Sequence, residues 1–354
     1  MGTYLFENIK GHFSPQPNFL QWNYFRGFVR MLHMKKNYYA LAYYYLTRVD
    51  NPHQEIALHK EFFKQLDVAC RIYISEQGIN GQFSGYQPHA EQYMAWLKQR
   101  PGFSNIKFKI HHIKENIFPR VTVKYRKELV ALGHQVDLSK QGKHISPQEW
   151  HAKLEENQCL ILDVRNNYEW KIGHFENAIL PNIQTFREFP DYAERLSQEY
   201  NPETTPVMMY CTGGIRCELY SSLLLEKGFK EVYQLDGGVI AYGQAVGTGK
   251  WLGKLFVFDD RLAVPIDATD PDVSPIATCL HCSRGCDTYY NCANTDCNHL
   301  FICCHECISL NAGCCSQECA QAPRVRTFSS SRGNKPFRRM HLCQSDKNTC
   351  NCSC

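Results

Sequence analysis

A chain of 354 residues with 44% hydrophobic and 21% charged side chains is long enough for two or three domains with cores of their own, and its usage is that of a folded protein. The formal net charge of +4 permits an RNA partner without demanding one, so the placement of charge matters more than its sum. No run reaches the roughly eighteen apolar residues of a membrane span, and the first thirty residues lack the layout of a secretory signal; a cytoplasmic protein with no membrane partner is expected.

Residues 1–33 hold Phe, Trp and Tyr amid Gly and Pro with no sustained period, and either translation starts at Met34 or this is a loosely packed extension. From Tyr39 the pattern changes type in a fixed order. A strand (Ala40 to Leu46), a helix (His53 to Leu66) and a strand (Cys70 to Ser75) are followed, after Glu76-Gln77-Gly78, by a strand (Ile79 to Ser84), a helix (Pro88 to Lys98) and a strand (Ile106 to His112). This β-α-β-β-α-β order over residues 34–113 is the ferredoxin-like α+β plan. Arg71, Lys107 and Lys109 fall on its sheet, where alternating like charges mark a solvated face more often than an RNA-phosphate site. Residues 114–145, with Arg120, Lys124, Arg126 and Lys127, read as a basic linker across the active-site face, with Val121-Thr122-Val123 as a possible strand.

Ser146-Pro147 is a helix start, a hydroxyl cap followed by proline in the first turn, and opens a second domain over 146–274. Asp163 and Arg165 end a buried strand and read as support. His174 is a candidate base, with a structural, hydrogen-bonded role favoured. The apolar run Pro206 to Tyr210 then leads into Cys211-Thr212-Gly213-Gly214-Ile215-Arg216 and a helical pattern from Glu218 to Lys227. A strand, a Gly-containing loop and a helix place Cys211 in a ring of backbone N–H groups beside a helix N-terminus, and these dipoles with the Arg216 guanidinium lower the thiol pKa. Cys211 is thus the expected nucleophile, with Thr212, Gly213, Gly214, Ile215 and Arg216 as its loop. Cys217 is either simply buried or a resolving thiol.

Asp163-Val164-Arg165, Glu169, Gly173-His174, Ala178, the six-residue Cys-to-Arg loop and the closing Leu235-Asp236-Gly237-Gly238 occur here in the order found in the rhodanese domain, which residues 146–246 resemble. That resemblance implies a doubly wound parallel sheet. With CTGGIRCE, GHFENA, GNKPFRR and a cysteine-dense end, nearly the whole chain from Met34 resembles the tRNA uridine hydroxylases. The resemblance implies an oxidoreductase of the monooxygenase type that converts the wobble uridine, position 34, to 5-hydroxyuridine, with dioxygen as co-substrate and the tRNA anticodon arm, not DNA, as partner. No flavin, haem or facial-triad motif accompanies it, and the electron donor stays open.

Of nineteen cysteines, fifteen lie between Cys279 and Cys354. Four in the first 278 residues is an ordinary intracellular density, so the crowding over residues 275–320 reads as metal binding rather than as disulfides. Cys279 and Cys282 with Cys304 and Cys307 fit one structural zinc site, and Cys292 and Cys297 with Cys315 and Cys319 a second; Cys286, Cys303 and Cys314 are alternative ligands. Residues 321–354 form a basic tail in which Arg324, Arg326, Arg332, Lys335, Arg338 and Arg339 alternate with Ser, Gly, Phe328 and Phe337, suited to single-stranded RNA or merely solvated. A sulfurtransferase carrying a persulfide on Cys211 also fits the loop, whereas the intact loop cysteine argues against a third reading, a zinc-dependent RNA or protein adaptor whose second domain is a relic.

Overall fold

The structure, a computed structural model, describes residues 37–328. The extension at 1–33 and the tail positions Arg332, Lys335, Phe337, Arg338 and Arg339 lie outside the described residues. The N-terminal domain runs β1 (Tyr38–Leu46), α1 (Pro52–Phe62), β2 (Val68–Ser75), β3 (Gly78–Tyr86), α2 (Gln87–Lys98), β4 (Lys109–Ile113) and β5 (Val121–Tyr125). Its sheet has the order β4-β1-β3-β2-β5, of which the first four strands are the expected ferredoxin-like arrangement. Strand β5 pairs parallel to β2, Cys70 opposite Val121 through Ile74 opposite Tyr125, so the Val-Thr-Val segment extends this sheet instead of linking two domains. Period-two alternation sorts the strands into two faces. Leu41, Tyr43, Ile72, Ile74, Phe83 and Val123 pack under the helices against Ile56, Phe63, Tyr93 and Leu97. The opposite face turns Ala42, Tyr44, Arg71, Tyr73, Asn80 and Gln82 toward the second domain.

That domain contains β6 (Lys143–Ile145), α3 (Pro147–Glu156), β7 (Leu160–Asp163), α4 (Asn167–Trp170), β8 (Gly173–Phe175), α5 (Phe189–Glu199), β9 (Val207–Tyr210), α6 (Ile215–Glu226), β10 (Val232–Leu235) and α7 (Gly238–Val246). Strands β6, β10, β9 and β7 form a parallel sheet in that order. Strand β6 starts before Ser146, whose hydroxyl caps α3 by accepting from the Glu149 N–H at 3.1 Å. Both faces are covered, which explains the uninterrupted apolar strands. Val207 and Met209 pack with Phe189, Leu196 and Tyr220 on one side, while Met208 and Tyr210 pack with Trp150, Val239 and Tyr242 on the other.

Strand β11 (Trp251–Gly253) pairs antiparallel with β8, and β12 (Leu255–Phe256) with β13 (Ala263–Val264) makes a short hairpin. The cysteine-rich region adds β14 (Tyr289–Asn291), β15 (Leu300–Ile302), α8 (His305–Leu310) and α9 (Gln317–Ala320), packed on Ile172 and Phe256. The start of the expected basic tail is fastened to this region. Arg324 pairs with Asp296 at 3.2 Å, and Arg326 donates to the Cys292 carbonyl at 3.0 Å and to Asn298 Oδ1 at 2.6 Å. These two arginines therefore brace the cysteine region and are not part of a free RNA-binding strip. No helix among the described residues is long and apolar enough to cross a membrane.

Candidate active site

Cys211 follows the last residue of β9, and the chain turns at Gly214 with φ of +105° to enter α6. The N–H of Gly214 donates to Cys211 Sγ at 3.1 Å. Behind the loop, the first turn of α7 holds its carbonyls: Val239 N–H donates to Cys211 O at 3.0 Å and Ile240 N–H to Thr212 O at 3.2 Å. Gly238, at φ of +66°, lies so close that a Cβ there would stand 2.8 Å from the loop nitrogens of Gly213 and Gly214. The closing Gly-Gly pair is thus a requirement of the loop above it.

Burial alone would push the Cys211 thiol up. The Cys217 thiol donating to it, the Arg216 charge and the N–H groups of Arg216 and Gly214 outweigh burial and lower it to about 5. Cys211 is 1% exposed, yet it forms part of the floor of a cavity of about 350 Å³ whose lining also includes Thr212, Gly213, Ile215 and Arg216. A nucleophile sealed in hydrocarbon would have no such space. Arg216 points its guanidinium at buried Glu169, with contacts of 2.5 and 2.8 Å, and Glu169 also accepts from Thr212 Oγ1 at 3.2 Å. Its influence on the sulfur is through charge, while its hydrogen bonds tie the loop to α4.

Asp163, Arg165 and His174, singled out in the second domain from sequence, stand elsewhere. Arg165 makes a buried bidentate pair with Asp163, donates to the Gly173 carbonyl at 2.7 Å and lies over the rings of Tyr210 and Trp251. Neither residue lines the cavity, and the pair clamps β7 to β8. His174 has Nδ1 3.0 Å from the Trp170 carbonyl and is likewise absent from the lining.

What residue patterns alone did not reveal is the roof. The open face of the N-terminal sheet closes over the loop, bringing Tyr44, Arg71, Tyr73, Asn80, Gln82 and Lys109 to the cavity. Lys109 is partly buried, its ammonium donating to the Gly213 carbonyl at 2.7 Å and standing over the Tyr44 ring. Burial lowers its pKa to about 8 against the opposing pull of Cys211, Asp236 and Glu218. The Tyr44 hydroxyl donates to Glu218 on α6 at 2.7 Å, and His144 Nε2 lies 3.1 Å from the same oxygen, which raises the His144 pKa. The available signal was the run of polar residues on alternate positions of β2 and β3, facing away from both helices.

In the C-terminal region the sulfurs of Cys279, Cys282, Cys304 and Cys307 converge within 4.8 Å of one another, as do those of Cys292, Cys297, Cys315 and Cys319. Separations of 3.8 Å for Cys282 to Cys304 and 3.7 Å for Cys297 to Cys315 match the edge of about 3.8 Å that a tetrahedron with Zn–S of about 2.3 Å requires. Both donor sets fit zinc with a full thiolate shell. Cys286, Cys303 and Cys314 are buried outside these quartets.

A cysteine loop of this geometry on a doubly wound sheet, roofed by a ferredoxin-like sheet, defines a rhodanese-like protein with an added N-terminal domain. Residues 146–245 match the rhodanese-like domain, residues 38–129 the UPF0176 acylphosphatase like domain, and residues 252–320 the Rhodanase C-terminal family. Three relatives, each called tRNA uridine(34) hydroxylase, match at high identity. That of Chlamydia caviae is 82% identical over 329 residues, covering 91% of this chain and 99% of the relative. That of Chlamydia felis is 85% identical over 311 residues, 88% and 96%, and that of Chlamydia trachomatis serovar D is 77% identical over 317 residues, 90% and 97%. The chain belongs to the tRNA uridine(34) hydroxylase family.

Proposed function

We propose that this protein hydroxylates the wobble uridine of tRNA, position 34, to 5-hydroxyuridine in a dioxygen-dependent, monooxygenase-type reaction, with Cys211 as the nucleophile. The observation that carries the reading is a thiol lowered to about 5 on the floor of a cavity roofed by a second domain. Simple sulfur transfer to a small anion has no use for that roof. The uridine, turned out of its loop, enters with C6 toward the sulfur.

The thiolate forms an S–C6 bond and the displaced electron pair passes to C5 and O4 as an enolate. The enolate gives that pair to an oxygen atom derived from dioxygen, the second oxygen atom leaving as water at the expense of a two-electron donor. Loss of the C5 proton then breaks S–C6 and returns the thiolate. Lys109, cationic below about pH 8, stands on the rim of the loop to stabilise the enolate oxygen. Exposed Lys124, Arg126 and Lys127 beyond the roof suit the phosphates of an anticodon arm. The zinc quartets are structural in this scheme, since four thiolates leave no position for water. A cytoplasmic setting follows from a tRNA substrate.

The test replaces Cys211 with alanine in cells lacking other copies and weighs the wobble nucleosides by mass spectrometry. Loss of the one-oxygen adduct, with its formation in the unaltered strain dependent on oxygen, supports hydroxylation. Loss of a sulfur adduct instead would establish persulfide transfer, and no change would leave the protein a non-catalytic adaptor.

A further inference from the structure

The roof of the cavity is ordered by strand register. One cross-strand row places Lys109 opposite Ala42, Ala42 opposite Gln82 and Gln82 opposite Arg71; the next places Tyr44 opposite Asn80 and Asn80 opposite Tyr73. Of these polar groups, Lys109 donates to Gly213 O, Arg71 to Phe258 O and Tyr44 to Glu218. Asn80 and Gln82 line the same cavity, and neither side-chain amide has a hydrogen-bond partner within the described protein. Ser84, next on that face of β3, is by contrast occupied by Asn116 and the Ala69 carbonyl. Two amides standing unpaired on one strand, across a cavity from a nucleophile, are placed for a ligand with donors and acceptors on one edge. Leu129, Val130, Phe186 and Ile215, which also line the cavity, offer apolar surface to the faces of a flat ring.

Resting on the uridine reading above, we infer that Asn80 and Gln82 read the edge of the base and select uracil. A carboxamide accepts from N3–H through its oxygen while its NH₂ donates to a ring carbonyl. An amide alone can rotate to fit cytosine as well. Here the cations Lys109 and Arg71 bracket Gln82 in its row, and they favour the carbonyl at position 4 of uracil over the amino group of cytosine. The rhodanese loop supplies the nucleophile and β3 supplies the selection.

The experiment measures affinities of the full-length protein for two anticodon stem-loop RNAs that differ only in U or C at the wobble position. Wild type, Gln82→Glu and Asn80→Asp are compared, with circular dichroism and the thermal melting temperature as the check that each variant is folded. A carboxylate of the same shape cannot donate to a carbonyl but accepts from the cytosine amino group. At least one variant is expected to lose the preference for U by on the order of tenfold or more and to turn toward C. If wild type shows no preference for U, or if both folded variants keep the wild-type U-to-C ratio, the inference is overturned, whether or not affinity falls. Failure of the underlying reading shows separately, as wild-type protein that forms no 5-hydroxyuridine.

Discussion

Cys217 offers the sharpest test of how the loop makes an anion. Its buried thiol donates to Cys211, which burial alone would push above its ordinary value of 9; this donor, Arg216 and two backbone N–H groups bring it to about 5 instead. The net preference for the thiolate amounts to about 5 kcal/mol. A hydrogen bond to a charged acceptor contributes about 1.5–3 kcal/mol, so Cys217→Ala should raise the Cys211 pKa by about one to two pH units, and Cys217→Ser, which keeps a donor, by less. The assay follows iodoacetamide labelling of the Cys211 peptide by mass spectrometry, which separates it from the other cysteines. Wild type should label at a rate nearly flat above pH 6 and falling below about 5, with the alanine variant inflecting between roughly 6 and 7. A wild-type rate climbing tenfold per pH unit to pH 8 would refute the reasoning. Because the folded pKa lies below the unfolded one, the associated stability is fully present above about pH 9, declines below it, and is lost as pH falls through about 5.

Lys109→Met removes the roof cation while keeping the stem, and should lower hydroxylation by on the order of a hundredfold. In wild type, activity should decline as pH rises through about 8, and that alkaline limb should be absent from the variant's residual activity; an unchanged limb would assign it to another group. Glu169→Gln leaves the Arg216 charge buried without its partner, and urea denaturation should show a loss of about 3–5 kcal/mol, a loss under about 1 kcal/mol being incompatible with the buried pair. Elemental analysis should find two zinc ions per chain and one after Cys304→Ser. Two ions still bound in that variant would mean that the first quartet is not a closed site.

The legible parts of this molecule were those whose chemistry is local in sequence. Cys211 to Arg216 is punctuated by glycines a plain turn does not need, and interleaved cysteine pairs announce tetrahedral sites because two closely spaced thiolates already fix half of one. Cys303 and Cys314 looked equivalent to the ligands beside them, and burial does not distinguish them from Cys279 or Cys292; only the convergence of the quartet sulfurs in three dimensions does. Strand β5 was hidden because its five residues sit in a basic stretch, and its place was decided by the vacant edge of β2. Arg324 and Arg326 looked like nucleic-acid contacts by composition, whereas in three dimensions carbonyls and Asp296 claim them. Lys109 was the least legible of all, since its partner lies 104 residues away across a domain boundary.

That boundary has a consequence for how selectivity arises. The groups that make the Cys211 thiol acidic, Gly214, Arg216 and Cys217, all belong to the rhodanese-like domain, and of these Gly214 lies against Tyr44 of the opposite wall. A loop built this way can attack an electrophile of any shape that fits. The choice of electrophile must then come from the opposite wall, which is a sheet face whose alternate residues are free to vary without disturbing the helix-covered core beneath. Tyr44 bonded to Glu218 and Lys109 bonded to the loop carbonyl hold the two walls in register. In the proposed reaction, separating the two walls would leave the thiol with nothing to direct it, so chemistry and recognition would both depend on this interdomain seam.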